Sequence, residues 1–413
     1  MNCNNRDDLH VSFSTNGMFI LDDIDNSVTG KKYMNIVGGA GTYATLGASV
    51  VARHNSNRNP AILQFIVDCG RDFYDVQSNN NDNKVNGTDI EEKMRQWNFT
   101  SSDNTNNTCD GNELPGLIFR YNADRLTTKG YNEYGANDFR TFKYLTPKLQ
   151  ITSEDILQNY CLENNNSRLK KIEIMHLVCS PKRCKKIIKD LVGSDVCNRF
   201  VWEPVPDLCN QENYQDIYDI MHNILDSSGL PSPSYEIILS PNAEEGSRLF
   251  GYEHEPVTIE ECLKLMVKDF NDFIGYSANE INRRNGIVLR CGVLGCLLLL
   301  PHNLNIYHLP AYHSITSTKV IDPTGGGNAF LGGFAMGLVI YCNDWYKAAI
   351  CGNIAAGIAI EQVGALPDLK VIENNDGTDG NNKSLFVWNG CSFQERIQCY
   401  FEKYEISGST SSF

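Results

Sequence analysis

Three consecutive glycines, Gly325, Gly326 and Gly327, constrain the fold of this chain more than any other feature of its sequence. They follow a short segment at 319–321 that predicts a β-strand, and they precede an apolar segment at 329–342 that predicts a core helix. Glycines at such a junction let backbone N–H groups converge on one point, which the positive end of the helix also faces. The pattern predicts a phosphate or oxyanion site, with an ordinary tight turn as the alternative. The Lys-Ser/Thr ending of a P-loop is absent, so the turn is not a P-loop.

Strand-like and helix-like segments alternate along the 413 residues of the chain. This alternation predicts an α/β fold with a parallel, doubly wound sheet. In such sheets a ligand lies at the carboxyl ends of the strands, and the glycine turns at 38–41 and 325–327 fit that rule. A chain of this length that is 41% hydrophobic can form one large domain with insertions. We therefore predict a single domain over residues 1–413.

The segment at 321–334 reads Ile-Asp-Pro-Thr-Gly-Gly-Gly-Asn-Ala-Phe-Leu-Gly-Gly-Phe. It resembles the C-terminal signature of the PfkB, or ribokinase-like, carbohydrate kinases, which is usually Asp-Thr-Thr-Gly-Ala-Gly-Asp-Ala-Phe followed by Gly-Gly-Phe. The resemblance implies a three-layer, doubly wound, mostly parallel α/β sheet with a small β lid. It also implies that ATP and Mg²⁺ are the cofactors and that a sugar or a nucleoside is the substrate.

The same resemblance assigns roles within this segment. The catalytic base of the family is an Asp, and Asn328 occupies its position here. The glycines at 325–327 correspond to the anion hole that holds the developing charge. Asp322 and Thr324 correspond to positions on the nucleotide side of the site.

Two motifs near the N-terminus correspond to the sugar-binding side of the family. Asp22 follows a glycine by five residues at the end of an apolar segment, as does the family carboxylate that binds sugar hydroxyls. Gly38 and Gly39 open a predicted helix that ends at a Leu-Gly, which is similar to the first family signature. The usual Asn of this helix is missing, and Thr42 and Tyr43 lie nearby instead. The resemblance implies that Asp22, Gly38 and Gly39 contact the substrate.

Asn242 and Glu245 lie three residues apart, just after a segment that predicts a buried strand. They match the Asn-x-x-Glu motif of the family, which implies that Asn242 contacts the nucleotide and that Glu245 holds Mg²⁺ through water. A cation that keeps its waters needs only one or two carboxylates. On spacing alone the alternative is a helix start, with Asn242 as the N-cap and Glu245 completing a capping box.

Residues 287–300 predict two short apolar strands about a Gly-x-x-Gly turn formed by Gly292 and Gly295. This resembles the Thr-x-Gly-x-x-Gly hairpin that lines the nucleotide site in the family, with Arg290 in place of the Thr. Asn353 begins a stretch of small residues that resembles the helix beside the adenine. The resemblance thus implies nucleotide contacts for Arg290 and Asn353 as well as for the two glycines.

The chain carries a formal net charge of −14. Proteins hold nucleic-acid backbones with Lys and Arg, so direct nucleic-acid binding is not expected. Basic and aromatic residues alternate within 120–148 and form either a surface for a protein partner or an anion, or a solvated lid surface. The sequence leaves these alternatives open.

Fifteen cysteines are present, and none forms a Cys-x-x-Cys pair. This pattern predicts reduced core thiols in a cytosolic or nuclear protein, and we expect a cytoplasmic location. The apolar run at 287–300 is too short to span a bilayer, and no charged-then-apolar signal segment is seen at the N-terminus. No membrane association is therefore expected.

Two tracts rich in Asn, Asp, Thr and Ser, at 77–112 and 373–383, predict disordered loops because they have little apolar surface to bury. Within the first tract, residues 90–97 have the pattern of a short helix that Trp97 would anchor.

An Asn at the base position changes the expected chemistry. In the family, a carboxylate accepts the proton of the hydroxyl that attacks the γ-phosphate. An amide can orient that hydroxyl but does not accept its proton at neutral pH. We therefore hypothesise an impaired kinase that keeps a nucleotide pocket and has a regulatory or interaction role. The alternatives are an active kinase that uses Asp22 or Asp322 as its base, and a structural descendant that binds no ligand.

Three further segments, at 129–135, 176–181 and 201–207, resemble a fungal subgroup of the family. That subgroup is associated with the stable propagation of a double-stranded RNA virus-like particle. The resemblance implies a role in maintaining such a particle.

Overall fold

A computed structural model describes residues 11–27, 29–54, 61–75, 78–80, 83–97, 116–135, 140–161, 171–225, 234–275, 285–301, 305–374 and 383–405. The strands in these ranges are, in chain order, β1 (Val11–Thr15), β2 (Ile20–Asn26), β3 (Lys31–Gly38), β4 (Ile62–Gly70), β5 (Ser78–Asn80), β6 (Asn83–Val85), β7 (Leu117–Asn122), β8 (Lys129–Tyr134), β9 (Arg140–Tyr144), β10 (Met175–Cys179), β11 (Arg199–Pro204), β12 (Glu236–Leu239), β13 (Gly286–Arg290), β14 (Cys296–Leu299), β15 (Ile306–Leu309), β16 (Leu369–Asn374), β17 (Lys383–Trp388) and β18 (Cys391–Ser392). The α-helices are α1 (Ala40–Ala52), α2 (Gly87–Arg95), α3 (Ser153–Cys161), α4 (Pro181–Gly193), α5 (Tyr214–Met221), α6 (Ala243–Leu249), α7 (Ile259–Lys264), α8 (Asn271–Ile274), α9 (Gly326–Ile340), α10 (Trp345–Ala359) and α11 (Phe393–Lys403).

The chain divides into two compact units, and the single domain over residues 1–413 stays a prediction. The first unit comprises Met1–Asn16, Thr152–Thr316 and Phe334–Asn353. The second unit comprises Gly17–Ile151, Ser317–Gly333 and Ile354–Phe413.

The first unit contains a mostly parallel sheet. Strands β1, β10, β11, β12 and β13 pair in that order, and every pairing is parallel. Strands β14 and β15 then continue the sheet in the antiparallel sense. The apolar residues of β13 and β14 are buried along their whole length, as expected for sheet strands covered on both faces. The hairpin predicted at 287–300 is confirmed, with a 3-10 turn at Gly292–Leu294 between its strands.

The second unit contains smaller sheets. Strands β4 and β7 form a parallel pair. A six-stranded sheet has the order β6-β5-β3-β2-β8-β9, in which only the pairing of β2 with β8 is parallel. A third sheet, of β16, β17 and β18, is antiparallel. Of the disordered loop expected at 373–383, residues 373, 374 and 383 belong to β16 and β17, which corrects its bounds, and residues 375–382 lie outside the described ranges.

Glycines allow helices α1 and α9 to pack with their backbones in contact within the second unit. A Cβ built on Gly47 would overlap the carbonyl oxygen of Ala329, and one built on Gly332 would overlap that of Ala44. Neither position can hold a larger residue without displacing backbone. Small residues at these crossings therefore fix the two helices side by side, and the glycine turns that precede both helices belong to the same unit.

The structure corrects the strand expected at 319–321. These residues form turns and irregular backbone, although the N–H groups of Ile321 and Asp322 both reach the carbonyl oxygen of Ile360, at 2.9 and 3.2 Å. The segment therefore satisfies its backbone at the end of helix α10 and not in a sheet.

The structure also corrects the disorder expected across 77–112. Helix α2 lies in this range and starts at a capping box formed by Asn86 and Asp89. Ile90, Met94 and Trp97 are fully or almost fully buried, and the Ser49 hydroxyl of α1 donates to the Trp97 carbonyl oxygen at 2.6 Å. The short helix and the Trp97 anchor are confirmed. Residues 98–112 are outside the described ranges.

Candidate functional site

The glycine turn in the second unit is closed on one side by an aromatic ring. Gly325 has φ +78°, a conformation that favours glycine, and a Cβ at this position would overlap the ring of Tyr43. Tyr43 is buried and comes from helix α1. The hydroxyl of Tyr134, at the end of β8, is hydrogen-bonded to the Thr324 hydroxyl. Two tyrosines from different elements thus hold the turn.

The turn is also stabilised by its own polar groups. The Asp322 carboxylate is buried and accepts the N–H of Thr324 at 3.0 Å. The N–H of Gly326 points to the Pro323 carbonyl oxygen at 3.3 Å, so one of the three predicted anion-hole donors takes part in the turn itself. Asp322 therefore stabilises the backbone of the turn through this hydrogen bond.

Asn328 lies in the first turn of helix α9 and is half-buried. The helix hydrogen-bonding pattern begins one residue later, where the N–H of Ala329 donates to the Gly325 carbonyl oxygen at 2.9 Å. The N–H groups of a first helical turn have no acceptor within their own helix, and they favour anions there. Asn328 therefore stands at the positive end of α9, where a carboxylate would be stabilised.

Asp22 is enclosed by glycines of the two strands that neighbour β2. A Cβ on Gly38 of β3 or on Gly130 of β8 would overlap the Asp22 carboxylate oxygens. The side-chain amide of Asn132 donates to Asp22 Oδ1 at 3.1 Å. Gly39 has φ +94° and precedes helix α1. The structure thus brings together Asp22, Gly38 and Gly39, and it adds Asn132, which sequence reasoning missed because its partner is 110 residues away.

In the first unit, Asn242 and Glu245 form the capping box of helix α6. The Glu245 N–H donates to Asn242 Oδ1, and the Asn242 N–H donates to Glu245 Oε2, both at 2.8 Å. The Asn242 side-chain amide donates to Glu245 Oε1 at 2.9 Å. The capping alternative raised by the spacing is therefore realised, and both carboxylate oxygens of Glu245 have partners in the protein.

Arg290 ends strand β13 and lies against two carboxylates. Its Nη2 is 2.8 Å from Glu203 Oε1 and 3.4 Å from Glu245 Oε2. The same nitrogen donates to the Ser240 carbonyl oxygen at 3.1 Å. All three charged groups are at most 9% exposed. One guanidinium is thus shared by two buried carboxylates.

The two carboxylates respond differently to this arrangement. Burial raises the pKa of Glu245 to about 7; the positive charge of Arg290 lowers it only in part, and the negative charge of Glu203 raises it further. Burial also acts to raise the pKa of Glu203, but Arg290 and His176 outweigh it and hold that pKa below its ordinary value. Glu203 is therefore the ionised partner of Arg290, and Glu245 is the carboxyl that releases its proton later.

The polar cluster continues across the parallel strands of the first unit. His176 Nε2 of β10 lies 3.9 Å from Glu203 Oε2 of β11. The other ring nitrogen, Nδ1, is hydrogen-bonded to the Thr15 hydroxyl of β1 at 2.9 Å. Sequence reasoning placed no function on Glu203 or His176. Each of the two is a polar residue within a largely apolar strand, and that pattern could have indicated a buried polar cluster.

The remaining predicted nucleotide residues also lie in the first unit. Gly292 begins the 3-10 turn after β13 and Gly295 follows it, with φ +55° and +92°. A Cβ on Gly295 would overlap the backbone at 309–311. The Asn353 side-chain amide donates to the Pro310 carbonyl oxygen in that same segment at 3.0 Å. Gly295 and Asn353 are therefore brought to one backbone segment.

The predicted residues thus fall into two groups. Asn242, Glu245, Arg290, Gly292, Gly295 and Asn353 belong to the first unit, and the others to the second. Across the part of the chain that the structure describes, no group of three or more His, Cys, Asp or Glu residues has the arrangement of a metal centre. No helix within the described ranges has the length and apolar character needed to cross a bilayer.

Two curated fungal proteins are similar to this chain over almost its whole length. Protein MAK32 of Saccharomyces cerevisiae is 37% identical over 398 residues, which cover 94% of this chain and 92% of that protein. An uncharacterized protein of Schizosaccharomyces pombe is 30% identical over 414 residues, which cover 95% and 93%. No protein-family model matches the chain.

Solved structures of kinases share the fold. The ribokinase of Giardia lamblia has a TM-score of 0.54 at 15% identity, with 86% of this chain and 96% of that chain covered. The adenosine kinase of Sinorhizobium meliloti has a TM-score of 0.55 at 13% identity, with 87% and 96% covered. The ribokinase of Cryptococcus neoformans in complex with ADP has a TM-score of 0.51 at 16% identity, with 86% and 96% covered. The predicted α/β fold class with a large, mostly parallel sheet is confirmed.

Proposed function

Because the chain belongs to the family of Protein MAK32, within the PfkB or ribokinase-like proteins, we propose that it binds an adenine nucleotide, has little phosphoryl-transfer activity and acts as a regulatory or interaction protein. The observation that carries the proposal is Asn328 in the first turn of α9. A carboxylate there could accept a proton from a substrate hydroxyl. An amide at the same place can only hydrogen-bond to it.

The expected loss of rate on replacing the catalytic base by Asn328 supports an impaired enzyme. A positioned general base contributes about 10²- to 10⁴-fold to a rate. The glycine turn before Asn328 is retained, and its donors act through the backbone, which an Asp-to-Asn change leaves intact. Loss of the base therefore affects turnover more than nucleotide binding.

The surroundings of the turn also support reduced turnover. The buried Tyr43 ring covers Gly325, in the helix where the family usually has an Asn. An aromatic ring offers a hydroxyl group fewer partners than an amide does. A substrate displaced by this ring would lose the alignment that phosphoryl transfer requires.

The alternative, an active kinase with another base, has less support. The Asp322 carboxylate is engaged by the N–H of Thr324. Asp22 is buried between two glycines and accepts from Asn132. Each carboxylate therefore stabilises its own loop or sheet, whereas Asn328 lies in the first turn of α9, at the position that the resemblance assigns to the base.

The proposal also has a biological context. The resemblance to the fungal subgroup leads us to assign the protein a role in maintaining a double-stranded RNA virus-like particle. A net charge of −14 favours a protein partner over direct contact with RNA in that role.

Calorimetric titration of ADP and ATP tests nucleotide binding independently of catalysis. We expect wild type to bind in the micromolar-to-millimolar range and Gly326→Val to bind at least about tenfold more weakly. A side chain at residue 326 would press on Ile360 and move the turn that carries the donors. Thermal unfolding without nucleotide would show that the variant is folded. Equal affinity in both proteins, or no binding by wild type, would contradict the nucleotide pocket.

A further inference from the structure

We propose that the guanidinium of Arg290 is the resident counter-cation of the Asn242–Glu245 motif, and that Glu245 holds no divalent cation. The proposal deepens the proposed function and rests on it for the identity of this motif as part of a nucleotide site. Its starting point is the contact of Arg290 Nη2 with both Glu203 and Glu245. The resemblance to the kinases implies Mg²⁺ at Glu245, so the structure and the resemblance disagree here.

The donor set of Glu245 does not fit Mg²⁺. Oε1 accepts from the Asn242 side chain, and Oε2 accepts from the Asn242 backbone and lies 3.4 Å from Arg290. Mg²⁺ needs octahedral oxygen ligands, and it reaches a carboxylate directly or through its own waters. A guanidinium beside the same oxygen repels a second cation. The carboxylate is also only 1% exposed.

The charge balance of the cluster agrees with a fixed cation. Arg290 offsets one carboxylate, and Glu203 is the one that stays ionised, with a lowered pKa. Glu245 Oε2 lies 3.4 Å from the same guanidinium, so both carboxylates face one cation that belongs to the protein. Burial acts to lower the pKa of Arg290, but the two carboxylates outweigh it and raise that pKa, so the guanidinium stays charged. The cluster therefore already contains a fixed positive charge beside each carboxylate.

The consequence is that nucleotide binding at this motif does not require Mg²⁺. A metal ion carried by the nucleotide phosphates gains no protein ligand from Glu245. The affinity for ADP is therefore expected to be the same in EDTA and in excess MgCl₂, within about twofold.

The first test uses Mn²⁺ alone, followed by its electron paramagnetic resonance signal, with wild type and Glu245→Gln. We expect the two proteins to bind Mn²⁺ equally, through unrelated weak surface sites. Binding by wild type that Glu245→Gln abolishes would overturn the proposal. Because no nucleotide is present, this result does not depend on whether the nucleotide pocket exists.

The second test removes the resident cation. Arg290→Thr leaves two buried carboxylates without their guanidinium, so its melting temperature should fall by roughly 10 °C. Saturating MgCl₂ should recover at least about half of that loss, whereas KCl at matched ionic strength should not. Arg199→Thr is the matched control, because it removes an ion pair in the same sheet but takes the cation from one carboxylate, Glu236, and not from two.

If MgCl₂ raises the melting temperature of the control as much as that of Arg290→Thr, or does not raise that of Arg290→Thr, the guanidinium does not fill the place of a divalent cation and the proposal fails. If Arg290→Thr does not fold, the Mn²⁺ comparison of wild type with Glu245→Gln decides the proposal alone.

Discussion

At the scale of single residues, the buried charges of the first unit are the least expected part of the molecule. The Asn242–Glu245 capping box is readable from spacing because its members are three residues apart. The contacts that Arg290 makes with Glu203 and Glu245 are not readable, since those partners are 87 and 45 positions away in the sequence. Only the pairing of strands β11, β12 and β13 brings these side chains together. The sequence shows that Arg290 stands where the family has a Thr, and only the structure shows that its guanidinium contacts two carboxylates.

The raised pKa of Glu245 predicts a pH dependence of stability. Between the ordinary carboxyl pKa near 4.5 and about 7, the folded protein holds a proton that the unfolded chain has released. Stability should therefore fall as pH rises through this window. Relative to Glu245→Gln, wild type should lose on the order of 2 kcal/mol of unfolding free energy between pH 5 and pH 8.

Urea unfolding of both proteins across this pH range measures the difference. The Gln variant removes the ionisable group of Glu245 and leaves every other ionisable side chain of the protein in place. A constant difference between the two proteins, or one that grows in favour of wild type as pH rises, would contradict a raised pKa at Glu245.

At the scale of elements, local pattern predicts some segments correctly and composition misleads at others. The β13–β14 hairpin was predictable because two apolar runs flank a Gly-x-x-Gly turn. The strand expected at 319–321 was wrong because no neighbouring strand accepts its backbone, which bonds to helix α10 instead. The disorder that composition indicates across 77–112 was wrong for helix α2, whereas the helical pattern at 90–97 and the Trp97 anchor were predicted correctly.

The burial of Trp97 predicts that the insertion supports the fold. Trp97→Ala should cost about 3–5 kcal/mol of unfolding free energy, because it leaves a large cavity beneath α2. Tyr121→Ala is the matched control: Tyr121 belongs to the same unit but is 56% exposed, so its loss should cost about 0.5 kcal/mol or less. Deletion of residues 78–110 should destabilise the protein at least as much as Trp97→Ala. Chemical denaturation of the three variants tests this, and an unchanged midpoint for the deletion would contradict it.

At the scale of the whole molecule, the chain has the architecture of solved kinases, and Asn328 stands at the position that the resemblance assigns to the catalytic base. Fold class followed from alternating segments and ordered glycine motifs, and solved kinase structures share it. Function does not follow from fold in this way, since the same architecture can hold an Asp or an Asn at the start of α9. The proposed loss of activity therefore depends on one side chain, Asn328, within a fold shared with solved kinases.

The most direct test is ATP-dependent phosphorylation of a panel of sugars and nucleosides by wild type and Asn328→Asp. The substitution restores a carboxylate of the same size at a helix start that stabilises it. Asn122→Asp, at an exposed position where an acid can accept the same Asp124 N–H, is the matched control. We predict that wild type and Asn122→Asp show no transfer above slow ATP hydrolysis, and that Asn328→Asp gains at least about tenfold, within the range that a general base contributes. A wild-type turnover of about 1 s⁻¹ or more, with Asn328→Asp neutral or slower, would contradict the account.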